Sequence, residues 1–134
     1  MRWFTRKPAS RFPSDMIRRL ELLGRFSLDS QSAGVDSGEV WSSCIAPFMQ
    51  ELSAEPTAFL ADLRALIQGE QGGWATLGAA HLIWEVRGGD AVHLPAALPF
   101  IDGGIDFKLS RGLPTASLTG YEMQRLVQRR EAGG

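Results

Sequence analysis

Gly72-Gly73-Trp74-Ala75-Thr76-Leu77-Gly78-Ala79-Ala80-His81-Leu82-Ile83-Trp84-Glu85 is apolar on nearly every side. It opens on one glycine pair and closes on a charged residue just ahead of another, Gly88-Gly89. Its length and alanine content favour a helix over a buried strand. A helix that is apolar all round belongs in the interior of a fold. The sequence therefore predicts a helix over about 73–86 with the rest of the chain packed around it. Gly78, Ala79 and Ala80 would let a second helix approach closely, while Trp74, Leu77, Leu82, Ile83 and Trp84 supply bulk. Trp74 to Trp84 is about half the length that spans a bilayer.

Upstream of this stretch, Phe59, Leu60, Leu63, Leu66 and Ile67 make an amphipathic stripe behind Glu55-Pro56, with Gly69 as its stop. Asp36-Ser37-Gly38-Glu39 has capping-box spacing, and Val40, Trp41, Cys44, Ile45, Phe48 and Leu52 then recur at helical period. Pro47 falls inside that pattern and should kink or split the helix. A first helix is expected from a Ser14 or Asp15 cap to Leu23, stopped by Gly24, with Phe26 and Leu28 in a short extended piece. Downstream, Leu94, Leu98, Ile101, Ile105 and Leu109 predict a helix over about 95–109, bent at Gly103-Gly104. Thr119-Gly120-Tyr121-Glu122 is a second capping box, continued by Met123, Leu126 and Val127. Arg125, Arg129 and Arg130 come next, where the helix dipole favours cations.

Helix after helix with short turns predicts an all-α fold, a bundle or short stack of five to six helices around the central apolar one. The expected organisation is a basic, loosely ordered N-terminus over 1–13, a single helical domain over 14–130, and a frayed tail over 131–134. A chain of 134 residues can bury a core without a disulfide or metal staple. The one cysteine, Cys44, forbids an internal disulfide, and no apolar run of signal length succeeds the N-terminus, which points to a cytoplasmic protein. Twelve arginines against two lysines, with many alanines and glycines, suggest a GC-rich bacterial genome.

Net charge is −1, but the charge is segregated. Residues 1–30 carry seven basic groups against three acidic, residues 31–110 three against ten, and residues 111–134 four against two. Such a pattern means internal pairing or a polarised surface. A pI of about 6.1 and the acidic middle disfavour nucleic acid as the partner. Trp3, Phe4 and Phe12 between Arg2, Arg6, Lys7 and Arg11 make residues 1–13 a candidate contact with an anionic membrane surface.

No catalytic set stands out. Cys44, His81 and His93 share no metal-ligand spacing, so no metal or cofactor is expected. Cys44 lies on an apolar stripe, as an inert buried thiol would. Gly88-Gly89-Asp90 lacks the Lys-Ser/Thr of a phosphate loop and reads as a turn. Asp102 and Asp106 stand at i, i+4 on one helix face, where paired carboxylates either sit in solvent or hold a ligand. Glu85 ends the apolar run and, with Arg87, can form a polar lip over the core. Glu85, His81, Asp102, Asp106 and Tyr121 are thus the candidate lining of a polar pocket. Trp3, Phe4, Asp62, Glu70 and Asp90 are the candidate contacts to a partner.

Gly72-Gly73-Trp74-Ala75, Gly78-Ala79, Leu82-x-Trp84-Glu85 and Gly120-Tyr121-Glu122 together resemble a group of small uncharacterised actinobacterial proteins, over most of residues 36–127. The resemblance implies no activity, cofactor or site residue. The functional expectation is a non-enzymatic helical interaction module, of immunity or antitoxin type, that meets another protein through its acidic surface. The alternative is a small enzyme or ligand-binding protein with a pocket beside the central helix.

Overall fold

The apolar stretch is helical, and a second helix lies along it at backbone contact. Helix α5 (Trp74–Arg87) buries Ala75, Leu77, Gly78, Ala79, Ala80, Leu82 and Ile83. Helix α1 (Met16–Leu28) runs against it and buries Met16, Leu20, Leu23 and Gly24. The computed structural model describes residues 11–29, 34–69 and 73–133. Trp3, Phe4 and Glu70 lie outside the described residues, as does the expected N-terminal contact up to residue 10.

Gly24 is not a stop. Helix α1 passes through it to Leu28, so Phe26 and Leu28 are helical rather than extended. The reason is tertiary. A Cβ on Gly24 would sit 2.5 Å from the Trp74 carbonyl oxygen, and one on Gly78 would overlap the Leu20 carbonyl. The glycines face each other, and the two backbones occupy the space that side chains would need. The entropic cost of glycine inside a helix is about 1 kcal/mol each. It is offset here by close packing along the seam.

Asp36 caps helix α2 (Ser37–Val40) as its spacing predicts, accepting from the Glu39 N–H at 2.8 Å. Pro47 does split the helical pattern beyond α2. Residues Trp41–Ile45 form a π turn in which the Ala46 N–H bonds back to the Trp41 carbonyl. Ala46–Phe48 form a 3-10 turn, and helix α3 (Met49–Ala54) resumes. Proline has no N–H, so the Ser43 carbonyl four residues back loses its helical donor. Arg19 supplies one instead, its Nη1 donating to Ser43 O at 2.8 Å while Nε donates to Asp15 at 2.9 Å. Asp15 is therefore used by Arg19 and makes no side-chain cap.

Helix α4 (Pro56–Ile67) buries Phe59, Leu60, Leu63 and Ile67, as its stripe predicts. Helix α6 (Leu98–Ser110) comes after a 3-10 turn at Pro95–Ala97 and continues as α-helix through Gly103-Gly104. Those glycines meet α5: a Cβ on Gly103 would sit 2.5 Å from Thr76 Cγ2, and one on Gly104 3.3 Å from Ala80 Cβ. Small residues thus line α5 toward both α1 and α6. Helix α7 (Gly120–Gly133) includes residues 131–133, and Gly134 lies outside the described residues. Among the described residues there is no strand, and the helices form an all-α bundle with a shared core that includes Leu20, Leu52, Phe59, Leu63, Leu82, Ile83, Phe100 and Ile101. Among the same residues no helix is long and apolar enough to cross a membrane.

Candidate functional site

A cavity of about 290 Å³ opens where the end of α1, the middle of α5, α6 and the start of α7 converge. Leu28, Leu77, Ala80 and Trp84 supply its apolar wall, and His81, Lys108, Ser117, Thr119, Tyr121 and Glu122 its polar one. That volume is close to the lower end for small-molecule sites, about 300–1,000 Å³.

The polar wall is built around one buried ion pair. Lys108 Nζ lies 2.7 Å from Glu122 Oε1, and their side chains are 8% and 2% exposed. The ammonium also donates to the Ser117 carbonyl at 3.3 Å. The same Glu122 oxygen accepts from the Thr119 N–H at 2.8 Å and from the Thr119 hydroxyl at 3.2 Å. In return, the Glu122 N–H donates to Thr119 Oγ1 at 3.4 Å. This is the reciprocal capping box that the Thr119–Glu122 spacing predicts. The lysine adds to it a cation that the spacing does not reveal. Taking both charges out of water costs several kcal/mol per ion, which the contact and its hydrogen bonds offset.

Tyr121 and His81 complete the wall. The Tyr121 hydroxyl donates to the Ala80 carbonyl at 2.8 Å, and its ring stacks on Trp84 with centroids 4.9 Å apart. Burial, reinforced by the Glu122 charge, pushes the phenol far above its usual value, so it stays neutral. His81 Nε2 lies 3.4 Å from Glu85 Oε1. Burial holds the imidazole below its usual value and outweighs the opposing pull of Glu85. The ring is therefore neutral at pH 7, with Nε2 turned toward Glu85.

Of the five residues expected in a pocket, His81 and Tyr121 line the cavity, and Glu85 lies outside its lining, 3.4 Å from His81. Asp102 and Asp106 lie elsewhere on α6, turned toward α7. Asp102 takes a two-point contact from Arg125 at 2.8 and 3.0 Å, and Asp106 is 3.3 Å from Arg129. That contact holds the Arg125 guanidinium above its usual value. The like charges at i, i+4 are thus neutralised by α7, whose arginines repeat at the same spacing. Sequence reasoning gives Glu122 a capping role but assigns neither it nor Lys108, the most buried charges of the cavity, to a pocket. The signal available is a lysine at a position where the α6 stripe turns inward, one step before Leu109.

The acidic middle is partly paired within the chain. Arg11 reaches Asp62 at 2.9 Å, Glu55 at 3.4 Å and Glu51 at 3.6 Å. Asp62 is therefore engaged internally, while Asp90 is exposed. Arg87 turns away from Glu85 and donates to the Ser53 carbonyl at 3.2 Å, so the expected lip between them is not formed. Cys44 is a buried free thiol, pushed up by burial, as expected of an inert cysteine. Trp41 is 42% exposed on the π turn, unlike the partly covered Trp74 and Trp84. Among the described residues no group of three His, Cys, Asp or Glu side chains could hold a metal ion. Comparison with protein-family models, curated proteins and solved structures gives no match.

Proposed function

We propose that the protein is a non-enzymatic helical binding protein whose site is the cavity beside α5, bounded by Lys108, Glu122, His81 and Tyr121. The observation that carries this reading is the buried Lys108–Glu122 pair in a cavity wall. A pair needed only to join α6 to α7 has no reason to border empty space, and the Asp102–Arg125 contact already joins them. The one hydroxyl on a carboxylate in this wall, Thr119 on Glu122, is tied up in the helix cap and the Lys108 ion pair, so the reading we take is binding rather than turnover. Cytoplasmic residence belongs to the same proposal, and the lone buried thiol is compatible with it.

Native mass spectrometry of protein purified from its host without dialysis tests the reading. The expected result is a small-molecule adduct that disappears when Ser117→Trp fills the cavity mouth. A bare chain mass, together with a fragment screen that leaves the Ala80, Trp84 and Thr119 resonances unmoved, overturns it.

Trp41 favours a second reading, an interaction module of immunity or antitoxin type. An exposed indole two residues after the exposed Glu39 suits a basic protein surface. Here the contact would be the π turn rather than Asp62, which Arg11 occupies. Equal partner recovery by wild type and Trp41→Ser in affinity capture disposes of this reading.

A further inference from the structure

We infer that the cavity takes a small neutral molecule with a donor and an acceptor side by side, of the carboxamide type, in preference to an anion or a cation. The inference rests on the binding reading above and deepens it.

Lys108 has three N–H donors. Glu122 Oε1 and Ser117 O account for two of them, and among the described residues the third has no acceptor. Glu122 is the complement. Its Oε1 receives three donors, while its Oε2 receives none from the described residues. Both side chains line the cavity. The wall therefore offers one spare donor on Nζ, which the 2.7 Å contact holds on Oε1, and one spare acceptor on Oε2, which lies on the Gly104 side where the cavity residues Ala80 and Leu77 converge. A carboxamide presents the matching pair, its oxygen to Lys108 and its N–H to Glu122.

Charge decides between ligand classes. The two ions already neutralise each other, so a bound carboxylate or amidinium would leave one of three charges unmatched in a buried site. The other titratable groups at the cavity do not alter the balance. His81 is neutral, Tyr121 keeps its proton, and Glu85, outside the cavity lining with its side chain 33% exposed, is solvated by water. The remaining wall, Leu77, Ala80, Trp84 and Leu28, suits a compact apolar body attached to the amide.

Benzamide, benzoate and benzamidine share a shape and differ in charge, which makes them the probes. Each is titrated into the wild-type protein while the Ala80 and Thr119 amides and the Trp84 indole N–H are followed by NMR. Benzamide is expected to shift these resonances with an affinity about tenfold or more above the two ions, the usual penalty for an unmatched buried charge. If benzoate or benzamidine binds there as tightly as benzamide, the neutral-ligand inference fails and the cavity reading stands. If none of the three moves these resonances at millimolar concentration, both fail. Glu122→Gln keeps the capping geometry but leaves the Lys108 charge unmatched, so benzoate should then overtake benzamide. An unchanged order in that variant overturns the assignment of Lys108 and Glu122 as the ligand contacts.

Discussion

The seam between α1 and α5 and the seam between α6 and α7 solve the same packing problem by opposite means. The first is made by removing side chains: Gly24 and Gly78 bring backbone to backbone. The second is made by charges, with Lys108 on Glu122, Arg125 on Asp102 and Arg129 on Asp106. At Gly24 and Gly78 the backbones fill the space between the helices, so the seam there is structural. A charged seam must satisfy every donor and acceptor. Where it does not, spare hydrogen-bonding capacity faces a cavity. The difference is why the proposed binding site belongs to the charged seam.

The largest expected effect is at that seam. Lys108→Met strands the Glu122 carboxylate in a buried position and should cost about 3–5 kcal/mol in urea denaturation. Pairing it with Glu122→Leu should recover a large part, because two apolar groups leave no orphan charge. A cost below about 1 kcal/mol for the single variant would mean the pair behaves as a solvated surface pair. Next comes the glycine seam. Gly78→Ala should cost about 3 kcal/mol, the upper end for overpacking, because the obstacle is the Leu20 backbone and cannot rotate away. Gly89→Ala, with open space around the added Cβ, is the control and should change stability by less than about 0.5 kcal/mol. Equal costs for the two would erase the distinction between a seam glycine and a turn glycine.

A smaller effect is expected where the charged seam meets solvent. Arg125→Met should cost about 1 kcal/mol and less in high salt, since both partners are partly exposed. A salt-independent cost would move that contact into the same class as Lys108. The smallest effect is a pH slope. Folding lowers the His81 value, so the unfolded chain binds its proton more readily. His81 therefore costs nothing above its unfolded value of 6.5 and removes stability as pH falls from there toward its folded value. The loss between pH 7 and pH 5 should be smaller in His81→Gln than in wild type when both are followed by urea titration. Identical slopes would mean that His81 is solvated.

The range of each interaction decides how much of the fold and the site is legible along the chain. The α5 stretch, the α4 stripe, the Asp36 and Thr119–Glu122 caps and the break at Pro47 are local patterns, and the structure shows each of them. Gly24 reads as a stop because a glycine that ends a helix and one that admits a neighbour look the same in one dimension. The neighbour, Gly78, is 54 positions away. Gly103-Gly104 poses the same ambiguity, and Thr76 and Ala80 on α5 explain why α6 continues through it as helix. Charge segregation is visible in the sequence, but which carboxylates remain free is not. Arg11 meets Asp62 only because it lies against both α3 and α4.

The sequence by itself determined the helices, most of their ends and the all-α class, because hydrophobic period, capping and proline placement act within a few residues. The tertiary structure alone decided which small residues meet, which charges pair and where a cavity remains. Those outcomes depend on residues such as Lys108 and Glu122, 14 positions apart, or Tyr121 and the Ala80 carbonyl, 41 apart. Their chemistry exists only once the helices have brought them into contact and excluded the water between them.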